Sequence, residues 1–150
     1  LVFGGGHVSQ ALVPILTSIG FPVYVFEDRE EFADKERFPA ASGVTLCRLD
    51  DFLTEAQIIP EDYVVILTRG HQKDYEVLKQ VLCTQATYIG MIGSRAKVAK
   101  TKDRLMEDGF AWDDVARVYA PIGLAIGAET PEEIAVSIAA EMIKRRAQLR

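Results

Sequence analysis

The sequence predicts an α/β fold: a doubly wound, mostly parallel six-stranded sheet of Rossmann type with helices on both faces. Three observations predict it. Strand-like and helix-like segments alternate along the chain, the first strand runs directly into a glycine turn, Gly4-Gly5-Gly6, and an acid, Glu27, closes the second strand. The strand order expected for this pattern is 3-2-1-4-5-6.

LVF (1–3) reads as the first strand. Val8, Ala11, Leu12, Ile15, Leu16 and Ile19 recur at helical spacing up to Gly20, a natural stop, and Pro14 should kink that helix because its ring blocks one ladder hydrogen bond. PVYVFE (22–27) is the second strand, with a short acidic helix near Glu30 to Arg37 after it. VTLC (44–47) is the third, and Asp50 or Asp51 can cap a brief helix through Ala56. DYVVILT (62–68) is the fourth, its continuous apolar run indicating burial on both faces. A helix from Asp74 to Cys83 follows, carrying Val77, Leu78, Val81 and Leu82.

TYIGMIG (87–93) is the fifth strand, and a Lys/Arg-rich helix from about Ala96 to Asp108 ends at Gly109. VYAPIG (118–123) is the sixth. The last helix opens with Thr130 as N-cap, Pro131 at the first helical position and Glu133 completing a capping box. Ile134, Ile138, Ala139, Met142 and Ile143 form its expected buried stripe.

At 150 residues, 49% hydrophobic and 26% charged, the chain is expected to be one domain, residues 1–150, with a sizeable core. A net charge of −5 argues against nucleic acid or an anionic membrane as partner, since phosphate binding needs a basic face. The Lys144, Arg145, Arg146 and Arg150 cluster closes a helix, where cations suit the dipole and solvent. Cys47 and Cys83 have neither C-x-x-C spacing nor a ligand companion and are expected as buried thiols in a reducing cytoplasm. No membrane span or export signal is read, and Leu1, already inside a strand, looks like the cut edge of a longer chain.

Gly4, Gly6 and Ser9 occupy the places of the G-x-G-x-x-G/A fingerprint, between strand and helix as its mechanism requires. The first glycine allows the turn; the second lets backbone approach a pyrophosphate at the helix N-terminus, where Gly5, His7 and Val8 complete the cradle. Glu27, with Asp28 beside it, is placed to hold a ribose 2′-hydroxyl. The alternative is a turn that merely joins strand to helix. In the expected order the fourth strand neighbours the first, and Thr68-Arg69-Gly70-His71 follows it. Both histidines of the chain, His7 and His71, thus stand directly after a glycine at the two strand ends flanking the crevice.

Neutral imidazoles there can ligate a metal and protonated ones can stabilise an anion, although a histidine so placed can also cap a helix or sit in solvent. Arg69 offers a planar donor fork for phosphate or carboxylate. Gly93-Ser94-Arg95 is a second possible anion cradle, and Gly123 either permits close approach of a ligand or makes a tight packing turn. Tyr75 and Lys79 fit Y-x-x-x-K, but the glycine spacing and serine context of the short-chain dehydrogenases are absent.

GGGHVSQAL, VFEDREEFADKERFP, ILTRGHQKDYEVL, YIGMIGSRAK and PIGLAIGAETPEEIAVSIAAE, in that order, resemble the C-terminal Rossmann-like domain of the XdhC/CoxI family, the xanthine dehydrogenase accessory factors. The resemblance spans nearly the whole chain and implies a maturation factor for molybdenum hydroxylases. Such a factor binds molybdenum cofactor (molybdopterin), presents it to a cysteine desulfurase for exchange of an oxo ligand for sulfido, and delivers it to an apo-subunit of xanthine dehydrogenase type. It also implies a homodimer and an N-terminal domain that these residues do not include. Ser9 departs from the glycine frequent in relatives. The competing expectations are an NAD(P)-dependent oxidoreductase and a nucleotide-sensing Rossmann domain using the same turn.

Overall fold

In the computed structural model, which describes residues 1–150, six parallel strands lie in the order 3-2-1-4-5-6, as expected. They are β1 (Val2–Phe3), β2 (Tyr24–Glu27), β3 (Gly43–Leu46), β4 (Tyr63–Ile66), β5 (Tyr88–Met91) and β6 (Val118–Tyr119). β1 is central: Val2 and Phe3 face Val25 and Phe26 of β2 on one side and Val65 and Ile66 of β4 on the other. The chain reverses its direction of travel across the sheet at that strand. Apolar side chains run without alternation along β1, β4 and β5 because both faces are covered.

The helices are α1 (His7–Ser18), α2 (His71–Leu82), α3 (Arg95–Glu107), α4 (Trp112–Ala116) and α5 (Pro131–Gln148). On one face α1 and α5 set Leu12, Leu16, Ile138 and Met142 against Val2, Val25 and Val65. On the other, α2, α3 and α4 set Leu78, Val81, Val98, Leu105 and Val115 against Phe3, Ile66 and Ile89. The capping box of α5 forms: the Thr130 amide donates to Glu133 Oε2 at 3.1 Å and the Glu133 amide to Thr130 Oγ1 at 3.2 Å.

Several expected elements take another form. The segment after β2 is not one helix but two 3-10 turns, Glu30–Phe32 and Lys35–Arg37, separated where Asp34 accepts from the Glu36 amide and starts the second. Neither Asp50 nor Asp51 caps the 3-10 segment Leu49–Thr54: its N-cap is Arg48, which instead pairs with Asp50 at 2.8 Å. α2 begins three residues earlier than expected, at His71, because Gly70, with φ of 97°, is its N-cap. β6 stops at Tyr119, short of Pro121, which has no N–H for the ladder.

The short helix α4 carries too few residues to show a period, and it was not expected. α1 continues through Pro14, which stands on its exposed side. On α5, Ile143 is exposed, and Ala135 and Ser137 join the buried stripe instead. Cys47 is buried but Cys83, at the C-terminal end of α2, is exposed.

Candidate functional site

The parallel register brings the C-terminal ends of β1, β4 and β5 to one edge of the sheet. The Leu67 amide donates to the Phe3 carbonyl at 2.8 Å and the Ile92 amide to the Ile66 carbonyl at 3.0 Å, so the turns that follow emerge side by side. Between them lies a cleft of about 460 Å³. Gly6, His7 and Val8 line one wall and Thr68 and Arg69 the other.

The glycine turn is shaped by contact with the β4 loop. Gly4 has φ of 107°, and a Cβ there would lie 2.3 Å from the Leu67 carbonyl oxygen, so only glycine lets the two strand ends approach. The Ser9 hydroxyl donates to the Gly4 carbonyl at 2.6 Å and locks the turn to the first turn of α1. Gly6 is the N-cap of α1, no side chain caps that helix, and a Cβ on Gly6 would meet nothing within 4 Å. The first amides of α1 therefore border an open hollow without a side-chain acceptor, the local chemistry that suits an anion.

Glu27 braces this turn from beneath. Its carboxylate is 1% exposed and accepts five times: from the Gly5 amide at 2.7 Å, from the Asp28 and Arg29 amides at 2.8 and 3.1 Å, and from Arg29 Nε and Nη2 at 3.1 and 2.9 Å. Burial alone would raise its pKa, but the Arg29 guanidinium and these amides outweigh burial and hold it at about 2. A carboxylate offers about four lone-pair directions, so the ribose contact expected of Glu27 is taken by the protein's own donors. The Arg29 guanidinium carbon stands over the Phe32 ring, 3.8 Å from its centroid, and Arg37 Nη2 donates to the Gly5 carbonyl at 3.0 Å. Asp28 turns away, pairs with Lys73 and faces a separate polar cleft of about 1050 Å³ beyond β2 and β3.

The opposite loop has its own brace. Asp74, 7% exposed in the first turn of α2, accepts from both the amide and the hydroxyl of Thr68. Burial pushes its carboxyl up to about 6 although the Thr68 donors pull the other way. Thr68 is thus occupied with structure, while Arg69 and Gly70 are exposed. Arg69 forms no ion pair and lines the cleft opposite the uncapped amides of α1.

His7 and His71 are each the first residue of a helix and each exposed, but the structure divides them between two hollows. His7 lines the glycine cleft, whereas His71 lines a groove of about 340 Å³ between α2 and α3. No group of three or more His, Cys, Asp or Glu side chains assembles as a metal site, and the two histidines do not share a hollow. At Gly93-Ser94-Arg95 the Ser94 hydroxyl accepts from the Lys97 amide at 3.3 Å, so one free amide of α3 is already capped and that cradle is narrower than expected. Gly123 makes the packing turn: its amide donates to Glu141 at 3.1 Å, and a Cβ would lie 2.2 Å from Ser137 Oγ. Tyr75 is buried and its hydroxyl is engaged by Asp108, so it is not free to act with Lys79 as a proton-transfer pair.

Four contributors were missed in the sequence: Arg29, Phe32, Arg37 and Asp74. The three in the segment after β2 are separated by acids that read as a helix, and only their stacking shows them as a clamp on Gly5. Asp74 had a legible signal, an acid three residues after His71 in a helix first turn.

Residues 1–142 match the family described as the XdhC Rossmann domain. The chain is 33% identical over 147 residues to the uncharacterized protein YqeB of Escherichia coli, covering 96% of this chain and 26% of that one. It is 33% identical over 146 residues to a Bacillus subtilis protein named as a probable xanthine dehydrogenase subunit, covering 97% and 42%. A more distant relative, at 21% identity over 97% of this chain and 39% of its own length, is the molybdenum cofactor insertion chaperone PaoD of Escherichia coli. A crystal structure described as a xanthine dehydrogenase from Bacillus halodurans superposes with a TM-score of 0.87 at 34% identity, over 99% of this chain and 42% of that one. These residues span less than half the length of the relatives they match. Glycine turn, strand order and family match agree: the chain belongs to the XdhC family and forms its Rossmann domain.

Proposed function

We propose that this domain is the cofactor-holding part of a longer maturation factor for molybdenum enzymes of the xanthine dehydrogenase type, and that its ligand is molybdenum cofactor. The observation that carries the reading is the cleft itself: uncapped amides at the start of α1, open space over Gly6, and an unpaired Arg69 on the facing wall. Those groups suit a phosphate-bearing pterin, with the phosphate on the α1 amides and Arg69, and the polar ring edges on the β4 loop. His7 stands at the rim, placed to donate to a negatively charged part of the ligand. When bound, the group supplies the redox centre of the recipient enzyme; this chain's residues hold and orient it. The relatives named for xanthine dehydrogenase and for cofactor insertion support the reading, as does the likeness to 42% of the Bacillus halodurans chain. Within it, the partners are a xanthine dehydrogenase-type apo-subunit and a cysteine desulfurase, the working form is a homodimer, and the compartment is the cytoplasm.

The rival reading, a nicotinamide-dependent oxidoreductase or a nucleotide sensor, is weakened by Glu27, which has no lone pair left for a ribose. Thermal shift of the domain with molybdopterin, NAD, NADP and AMP separates the two, because a ligand that binds the folded state raises its melting temperature. The expected result is the largest shift with molybdopterin, reduced by His7→Ala or Arg69→Gln. A larger shift with NAD, unaffected by Arg69→Gln, overturns the proposal.

A further inference from the structure

The groove between α2 and α3 concentrates positive charge in a chain whose net charge is −5. His71, Lys97, Lys100 and Arg104 line it, with Tyr75 and Thr101 as its floor. The molecule's ion pairs are Arg29–Glu27, Arg48–Asp50 and Lys73–Asp28, so no carboxylate stands within 4.0 Å of Lys97, Lys100 or Arg104. The Tyr75 hydroxyl donates to Asp108, which does not line the groove. Three cations around one hollow repel each other, and an anion placed among them relieves that repulsion.

The groove is also ordered before any ligand arrives. The Arg104 guanidinium lies on the Tyr75 ring at 3.7 Å, and its Nη1 donates to Gln72 Oε1 at 2.9 Å, which fixes the plane of the fork. The Thr101 hydroxyl donates to the Lys97 carbonyl at 3.0 Å, so the floor adds no charge and its one hydroxyl proton is already engaged. A volume of about 340 Å³ holds about ten waters, enough for a phosphate and a short substituent but too little to seat a protein segment. Lysines at 97 and 100, one helical turn apart, then act as mobile point charges beside a fixed planar donor.

We propose that this α2/α3 groove is an anion-binding site, separate from the glycine cleft, that takes a phosphate or pyrophosphate group of a small ligand. The site does not depend on what the glycine cleft binds, since none of its residues lines that cleft.

The test is isothermal titration calorimetry of the chain with inorganic pyrophosphate at low salt. Lys97→Gln/Lys100→Gln is compared with Lys144→Gln/Arg150→Gln, which removes the same charge from exposed positions at the end of the chain. All four side chains are exposed, and circular dichroism checks that both variants fold. The groove variant is expected to lose at least about tenfold in affinity and the control less than about twofold. Arg69→Gln is measured alongside. A loss confined to Arg69→Gln, with the groove variant unchanged, places the anion in the glycine cleft and overturns the proposal, as does equal loss in groove variant and control. Binding of a hexaglutamate peptide by the wild type without binding of pyrophosphate also overturns it, in favour of an acidic protein surface.

Discussion

Replacing Asp74 by asparagine should stabilise the domain at neutral pH. In the folded chain burial lifts the Asp74 carboxyl from the ordinary 3.8 to about 6, a displacement worth about 3 kcal/mol. Between those values the folded state binds a proton that the unfolded state has released. Stability contributed by this group is therefore present in acid, falls as pH rises from about 4 to about 6, and stays low above that. The asparagine side chain keeps an oxygen to accept from the Thr68 amide and hydroxyl, so the loop brace survives. The new buried amide hydrogens cost about 1 kcal/mol, leaving a net gain of about 2 kcal/mol at pH 8. Urea denaturation of wild type and Asp74→Asn at pH 8 and pH 4 measures it. The difference should favour the variant at pH 8 and shrink or reverse at pH 4; a difference of the same size and sign at both pH values refutes the argument.

Glu27→Gln should destabilise by about 3 kcal/mol at pH 7, because it breaks the pairing with Arg29 and turns an amide toward the Gly5 and Arg29 donors. The wild-type contribution is full above pH 4.5 and lost as pH falls toward about 2, so the two proteins should converge in strong acid in denaturation curves. Gly4→Ala should cost about 3 kcal/mol or more, since it combines a φ of 107° with a contact of 2.3 Å to the Leu67 carbonyl; a loss under about 1 kcal/mol in urea melts contradicts the packing described. Of the two cysteines, only the exposed Cys83 should react promptly with an aromatic disulfide reagent at pH 8, because burial pushes the Cys47 thiol up to about 11. Cys83→Ser should abolish that fast phase.

The centre of the sheet was legible because β1, β4 and β5 are buried on both faces and so carry unbroken apolar runs, as in Val64-Val65-Ile66. The final helix was legible because its capping box is a local signal spanning Thr130 to Glu133. What resisted was everything decided by tertiary contact. Glu27 sits where a ribose partner should sit, yet Arg29, two residues on, claims its oxygens, and no spacing rule distinguishes those outcomes. His7 and His71 share a sequence context, glycine then histidine, but the hollows they enter are set by their neighbours: Arg69 and Val8 for one, Lys100 and Arg104 for the other. The exposure of Cys83 depends likewise on where the chain is covered.

The central place of β1 has a consequence for how the sheet comes into being. Of the six strands β1 leaves the ribosome first and pairs on one side with a strand close behind it, but on the other it waits for residues 63–67, where Val65 and Leu67 donate to the Leu1 and Phe3 carbonyls. At about 5–20 residues per second, that flank of a nascent β1 stays open for about 3–12 s, during which Val2 and Phe3 have nothing to cover one edge. The glycine turn cannot meet the Leu67 carbonyl before then either. Vectorial synthesis thus makes the binding cleft a late product, and a chain stalled before Tyr63 exposes a sticky strand with no ligand site to show for it.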